Sequence, residues 1–332
     1  MHGIPIMVTG GAGFIGSHAC KALASAGYMP VVVDNLSTGH ADSVKWGPYY
    51  NIDVRDTPAI LRVIARYDIQ GVMHFAASAY VGESVEDPQK YYDNNVGGML
   101  SLLSACAKAS VRELIFSSSC ATYGIPDQLP ITENSPQHPI NPYGRTKLIG
   151  EHMLMDYAAR YGFSYGILRY FNACGADPDG DLAERHDPET HLIPLALMSA
   201  SGLRGALQVF GTDYDTPDGS CVRDYIHVSD LARGHVMAMQ HLLQGGPSLT
   251  LNLGSGRGYS VLEVAQAVKQ VSGRKVPLTL TDRRPGDPPS LMADPTQAQR
   301  LLGFKTERSA LDQIICDAAP YFGLALEEVN HA

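Results

Sequence analysis

The chain has 332 residues, 45% apolar and 18% charged, with a formal charge of −9, the composition of a globular protein with one large or two smaller domains. The acidic balance, without any Lys/Arg run, excludes nucleic acid and anionic membrane as partners, because both need a basic footprint. Cys20, Cys106, Cys120, Cys174, Cys221 and Cys316 lie far apart with no CxxC pair, no apolar run approaches spanning length, and no basic leader precedes Ile4–Thr9, so reduced thiols and a cytoplasmic location are expected.

Through the first half, short β-branched or apolar runs alternate with amphipathic stretches of helical length, the pattern of βαβ units in a doubly wound parallel sheet. Strands are expected at Ile4–Thr9, Met29–Asp34, Tyr49–Asp53, Gly71–Ala76, Glu113–Ser117 and Ser164–Arg169, and helices at Phe14–Ala26, Thr57–Arg66, Pro88–Ala107 and Pro142–Tyr161. The alternation weakens after Asn172, where Asp177–Glu189 reads as a loop opening a second lobe. The strand Val222–Val228 with the helix after Ser229, and the strand Leu249–Leu253, are expected to rejoin the sheet. A helix Ser260–Val271, a strand Val276–Leu280 and terminal helices would complete the smaller α/β lobe. The expected division is a Rossmann-type dinucleotide domain over 1–172, rejoined by 222–255, and a substrate lobe over 173–332.

Immediately after the first strand, Gly10, Gly13 and Gly16 form a GxxGxxG spacing that includes Phe14 and Ile15 and opens the first helix. Such glycines permit a tight turn, close backbone approach to a pyrophosphate and close helix packing, with the helix N-terminus facing the phosphates. Asp34 ends the second strand roughly 20 residues on, where a carboxylate accepts ribose hydroxyls and repels a 2′-phosphate, favouring NAD over NADP. Asp53 either accepts from the adenine amino group or caps its own loop; the sequence leaves both readings open.

Tyr143 and Lys147, four residues apart, share one face of the helix that begins at Pro142. A tyrosine is a poor base at neutral pH, and a neighbouring ammonium or nicotinamide cation is expected to lower its pKa. Ser117, Ser118 and Ser119 end the fifth strand on the carboxyl edge, where doubly wound sheets bind ligands. Ser119 is the candidate proton relay, with Ser117 and Ser118 satisfying backbone and cofactor groups.

These residues resemble the extended short-chain dehydrogenases/reductases of the NAD-dependent epimerase/dehydratase family, and within them the C4 epimerases of UDP-hexoses. The resemblance runs through TGGAGFIGSH (Thr9–His18), HFAA (His74–Ala77), VGES around Gly82–Ser84, YYDNNV (Tyr91–Val96), FSSS with the following YG, NPYGRTK (Asn141–Lys147), RYFNACGA, VFGTDY, VRDYIHVSDLA and RRPGD. It implies interconversion of UDP-glucose and UDP-galactose through a transient 4-keto sugar, with Tyr143 as base, Lys147 as its activator and cofactor anchor, and Ser119 as helper. Asn35, Val54, Phe75, Ala76, Ala77, Asn94, Tyr170 and Phe171 would join Asp34, Asp53 and Ser117 around the cofactor. Asn172, His191, Leu192, Gln208, Phe210, Arg223, Arg284 and Asp287 would hold the UDP, the arginines as permanent bidentate donors to a diphosphate. Leu291 would lie against the C2 substituent of the sugar, and the two long helices 88–107 and 142–161 resemble a dimer-forming pair.

Two positions depart from the resemblance: Ala79 stands where many relatives carry a cofactor-proximal Lys, and Cys120 follows Ser119 where a small residue is usual. Cys120 is read as a packed side chain. Related dehydratases need an Asp-Glu pair after their Ser/Thr, and Cys120-Ala121 stands here instead. A dehydrogenase, and C4 epimerases of N-acetylglucosamine or pentose nucleotides, remain alternatives, whereas a non-catalytic relative is expected to lack Tyr143 or Lys147. No metal is expected. Asp177, Asp179 and Asp181 do not fit a calcium loop, since Pro188 occupies its twelfth position, and His186, Glu189 and His191 read as a solvated loop.

Overall fold

A computed structural model describes residues 3–284 and 286–326. Its strands are β1 (Pro5–Thr9), β2 (Met29–Asp34), β3 (Tyr49–Asn51), β4 (Gly71–His74), β5 (Glu113–Ser119), β6 (Ser164–Tyr170), β7 (Asn172–Cys174), β8 (Leu207–Phe210), β9 (Val222–His227), β10 (Leu249–Leu253), β11 (Gly258–Ser260), β12 (Leu278–Thr281) and β13 (Ser290–Leu291). Its α-helices are α1 (Phe14–Ser25), α2 (Thr57–Tyr67), α3 (Val81–Glu86), α4 (Pro88–Tyr91), α5 (Gly97–Ala109), α6 (Pro142–Tyr161), α7 (Leu192–Ser201), α8 (Val228–Leu243), α9 (Val261–Ser272), α10 (Thr296–Leu302) and α11 (Leu311–Ala318).

Seven parallel strands form the large sheet in the order β3-β2-β1-β4-β5-β6-β10, the doubly wound arrangement expected. Alternation along each strand sends neighbouring side chains to opposite faces. Ile6 and Val8 join Leu23, Leu231 and Met239 under α1 and α8, while Met7, between them, joins Ile60, Leu102 and Leu154 under α2, α5 and α6. With both faces covered, β4 is buried at every position, which is why these strands read as continuous apolar runs. The strand order reverses between β1 and β4, and the carboxyl ends of β1, β4 and β5 meet there in a ligand crevice.

Local chemistry sets the helix that faces this crevice. Asn141 caps α6 by accepting the Gly144 N–H at 2.8 Å, Pro142 supplies its first turn, and Gly162 ends it at φ +71°. The expected helix 88–107 is present as one continuous run, with α4 and α5 joined through a π-helical turn at Tyr92–Val96. Within that turn the Asn95 amide accepts from the Ser78 N–H at 2.8 Å and donates to Thr146 Oγ1 at 2.9 Å on α6. Those tertiary bonds accompany the locally widened helix, a deformation that concentrates at functional sites.

The expected return of Val222–Val228 to the large sheet does not occur. β9 pairs with β7, β11 and β13 in a second sheet, and Val228 already begins α8. Of the expected 222–255 segment, α8 and β10 return to the large sheet. Side-chain alternation reports that a strand is half-buried, not which sheet completes it. β7, β8, β11 and β13 hold two to four residues, too few for periodicity to register. The second sheet, α7, α9 and α11 enclose the other core, around Leu197, Tyr225, Val268 and Ile314.

Candidate active site

The turn between β1 and α1 is shaped by what it lacks. Gly10 has φ +74°, and a Cβ there would lie 2.6 Å from the Ala76 nitrogen; a Cβ on Gly16 would lie 2.1 Å from the Gly10 carbonyl oxygen. Gly13 occupies the N-cap of α1 with no side-chain cap and no acidic residue in the first turn. The N–H groups of that turn are thus left for an external anion, with the helix dipole behind them. Asp34, 8% exposed at the end of β2, accepts from the Ala12 N–H at 3.0 Å and the Leu36 N–H at 2.8 Å, one on each oxygen. Burial raises its pKa above the usual carboxylate value, while the two N–H groups fix its orientation and leave lone pairs for hydroxyl donors. A glycine cradle, a bare helix N-terminus and an oriented carboxylate fit a dinucleotide with free ribose hydroxyls.

Other expected cofactor residues divide in placement. Phe75 and Ala76 follow β4 and close on Gly10, with the Phe75 ring 4.8 Å from His235. Val54 is buried under Gly98, and Asn94 donates to the Ser78 hydroxyl at 3.3 Å. Ala77 is half-buried and Ala79 exposed. Asp53 is clasped by Arg55, whose guanidinium donates at 2.9 and 2.7 Å, and by Asn35 at 3.2 Å. The Arg55 pair holds its carboxyl down at about 2. Both of its oxygens accept within their own loop.

At the end of β5, alternation separates the three serines. Ser118 points away from the crevice and hydrogen-bonds the Glu151 carboxylate, so it serves the helix–sheet interface rather than the cofactor. Ser117, on the crevice face, bonds Tyr170 Oη at 2.6 Å, and its carbonyl accepts from Lys147 Nζ at 2.7 Å. Ser119, on that face too, accepts from the Ala121 N–H at 3.1 Å and lies close enough to the Tyr143 phenol to influence its ionisation. Lys147 Nζ lies 5.8 Å from the Tyr143 ring centroid.

Burial pushes the Tyr143 phenol well above its ordinary pKa, Tyr170 adds to the rise, and the nearby Ser119 hydroxyl opposes it. The expected lowering by Lys147 therefore does not prevail within the chain. Burial also draws the Lys147 ammonium down, to about 8, against the pull of Glu151. The Cys120 thiol is pushed up to about 12, again by burial, the chemistry of a packed side chain rather than a nucleophile.

The second sheet faces this constellation across the crevice. Asn172 donates to the Asp224 carbonyl at 3.0 Å. Arg223 on β9 forms an ion pair with Asp287 and donates to the Val222 carbonyl at 2.7 Å. Gln208 and Phe210 lie on β8, with the Arg284 guanidinium 3.7 Å over the Phe210 ring centroid, so one ring face is already covered. Leu291 on β13 packs in one cluster with Tyr123, Phe171 and Cys120, one residue from Ser119. Leu192 begins α7, and His191 lies within 2.7 Å of Glu184. His186, Glu189 and His191 thus form a half-buried cluster with Glu184, not a solvated loop.

Sequence reasoning passed over two supports. Tyr91 stands edge-on to Tyr143 at 6.5 Å, its hydroxyl fixed by the Tyr80 carbonyl and Glu83. Asn95 ties the π-helical turn to α6. Both lie inside YYDNNV, a motif the resemblance already marked, but nothing local singles out these two among its polar residues.

The model of the NAD dependent epimerase/dehydratase family matches residues 6–254. The chain is 52% identical over 302 residues to UDP-glucose 4-epimerase of Rhizobium meliloti (strain 1021), covering 91% of this chain and 92% of that one. Its fold superposes on the crystal structure of UDP-glucose 4-epimerase from Brucella ovis in complex with NAD, with a TM-score of 0.96 at 58% identity, over 97% and 99% of the two chains. The Bifidobacterium longum enzyme in complex with NAD+ and UDP gives 0.90 at 40% identity, over 96% and 97%. With the glycine cradle, Asp34, Tyr143 and Lys147 in place, the chain belongs to the NAD-dependent epimerase/dehydratase family.

Proposed function

We propose that this protein interconverts UDP-glucose and UDP-galactose, inverting C4 through a bound 4-keto sugar with NAD retained throughout. The observation that carries this reading is the phenol of Tyr143, buried beside Ser119 at the carboxyl end of β5 and one helical turn from Lys147, which is itself anchored to the Ser117 carbonyl. NAD, when bound, supplies an acceptor and donor for the C4 hydride and a positive ring that offsets the effect of burial on the phenol. Tyr143 Oη takes the C4 hydroxyl proton and returns it after inversion, while Ser119 Oγ relays it and holds the reacting oxygen. Lys147 contributes positive charge beside the phenolate and anchors the nicotinamide ribose. Arg223 and Arg284 grip the diphosphate, with Asp287 orienting the Arg223 guanidinium. A sugar held only through its UDP can turn about that anchor and present either face of C4.

The same reading places the protein in the cytoplasm, in galactose metabolism, as a homodimer. Its six free thiols suit a reducing compartment. The pairing face is that of α5 and α6, the helical stretch whose exposed apolar side chains include Tyr92, Leu100 and Tyr161, at 37%, 51% and 43%.

Cofactor identity is directly measurable. Asp34 disfavours a 2′-phosphate and the reaction is redox-neutral, so denaturing the purified protein is expected to release NAD. Release of NADP, or stoichiometric NADH accumulating during turnover, would overturn this.

Leu291 sets the expected substrate range. Packed beside Cys120 and Phe171, it presents a branched alkyl wall where an N-acetyl group would meet overlap and unmet hydrogen bonds. UDP-glucose and UDP-galactose are therefore preferred over their N-acetyl counterparts, and Leu291→Ser raises kcat/KM on the N-acetyl pair by about ten-fold. Equal efficiency on both pairs before mutation would refute exclusion; no gain in the variant would show that Leu291 is not the wall.

A further inference from the structure

Two groups of potential metal ligands lie on the segment 177–191, and they differ in what occupies them. Asp177, Asp179 and Asp181 converge on Lys21 Nζ at 2.6, 2.7 and 2.9 Å, so an ammonium already takes the cation position. Glu184, His186, Glu189 and His191 converge on one another, and among the described residues no Lys or Arg pairs with either carboxylate. We propose that these four side chains hold a divalent ion of the zinc class.

The geometry is that of a closed four-ligand site. One ligand atom from each residue lies within 4.8 Å of all the others. A tetrahedral shell with bonds of about 2.0–2.2 Å has edges of about 3.3–3.6 Å. His186 Nδ1 lies 3.1 Å from Glu184 Oε1 and 3.7 Å from Glu189 Oε2, and His191 Nδ1 lies 2.7 Å from Glu184 Oε1 and 3.1 Å from Glu189 Oε1, so each ring nitrogen stands beside an oxygen of both carboxylates at about that spacing. Two imidazole nitrogens with two carboxylates suit zinc, whereas calcium and magnesium take oxygen shells of higher number.

Charge and burial argue the same way. The Glu184 and Glu189 side chains are 3% and 8% exposed, and two desolvated carboxylates side by side need positive charge. The two imidazole rings stand with centroids 4.9 Å apart and both direct Nδ1 at the same Glu184 oxygen, so the two nitrogens and the carboxylates surround one shared point. The His191 side chain is 47% exposed, which leaves an entry path.

The position assigns the ion a structural role. The His186 ring meets Phe14, the first residue of α1, edge-on at 6.1 Å, and Tyr80 at 5.9 Å. His191 is the N-cap of α7. The ion thereby fastens the loop between the dinucleotide turn and the start of α7, far along the chain from Tyr143 and Lys147. The spacing hides this site in the sequence, because Glu184 and His186 precede a turn at Asp187-Pro188 that folds Glu189 and His191 back on them.

The test uses the full chain, purified without metal-affinity steps, stripped with EDTA and then titrated with zinc chloride or cobalt chloride. Expected are about one equivalent of zinc retained per chain through gel filtration, intense visible bands of tetrahedral cobalt, and a rise in Tm of about 5 °C on zinc addition. His186→Ala/His191→Ala loses the retained zinc and the cobalt bands, and Glu184→Gln weakens both. Zinc retention in the wild type no greater than in the double variant overturns the site. So does an octahedral cobalt spectrum with an unchanged Tm, the mark of adventitious surface binding, and that result needs no variant to fold.

Discussion

Tyr143→Phe is expected to lower kcat for C4 epimerisation by about 10²–10⁴-fold while leaving NAD content and UDP binding near those of the unmutated protein. The substitution keeps the ring that stands edge-on to Tyr91 at 6.5 Å and beneath the Lys147 ammonium, so packing is preserved and only the hydroxyl is removed. Ser119 cannot replace it as the base, because an alcohol is a far weaker acid than a phenol and so supplies no oxyanion to accept the proton. The measurement is steady-state turnover with NAD occupancy and UDP affinity determined on the same sample. Residual activity above about a tenth of wild type, a barrier change below roughly 1.4 kcal/mol, would sink the assignment of Tyr143 as the base.

The site was legible wherever chemistry and local structure are set by the same few residues. Gly10, Gly13 and Gly16 read as a dinucleotide turn because a Cβ would collide at two of them, with contacts of 2.6 Å at Gly10 and 2.1 Å at Gly16. Asn141 and Pro142 fix the start of α6, and with it the common face of Tyr143 and Lys147. What escaped depends on partners distant in sequence. Whether β9 joins one sheet or the other is decided by β7 and β13, and the π-helical turn accompanies Asn95 bonding to Ser78 and Thr146. The pKa of Tyr143 belongs with these: proximity to Lys147 was visible in the spacing, but the dominance of burial was not. In the same way Glu151 and Arg169, 18 residues apart on α6 and β6, give no local signal of being partners.

That buried pair supports the second large expected effect. Arg169 on β6 donates to Glu151 at 2.9 and 2.6 Å, to Tyr123 Oη at 3.0 Å and to the Glu133 carbonyl at 3.2 Å. Glu151, on the helix that carries Tyr143 and Lys147, is wholly buried and also accepts from Ser118 and from Gln137 at 3.0 Å. Arg169→Met is isosteric enough to keep the core filled, yet it strands the carboxylate, and removing one partner of a buried pair costs about 3–5 kcal/mol. Adding Glu151→Leu is expected to recover most of that loss, because the pair's own desolvation is then relieved as well. The pH dependence separates this cause from poor packing. A stranded carboxylate has its pKa raised above the unfolded value, so the deficit is largest above that raised pKa and shrinks as pH falls through it, whereas a cavity would cost the same at every pH. Denaturant unfolding of the three proteins at matched NAD concentration, at neutral and mildly acidic pH, is the measurement. A loss below about 1 kcal/mol in Arg169→Met, the scale of an exposed ion pair, would mean that water reaches Glu151 and that the pair does not fasten α6 to the sheet.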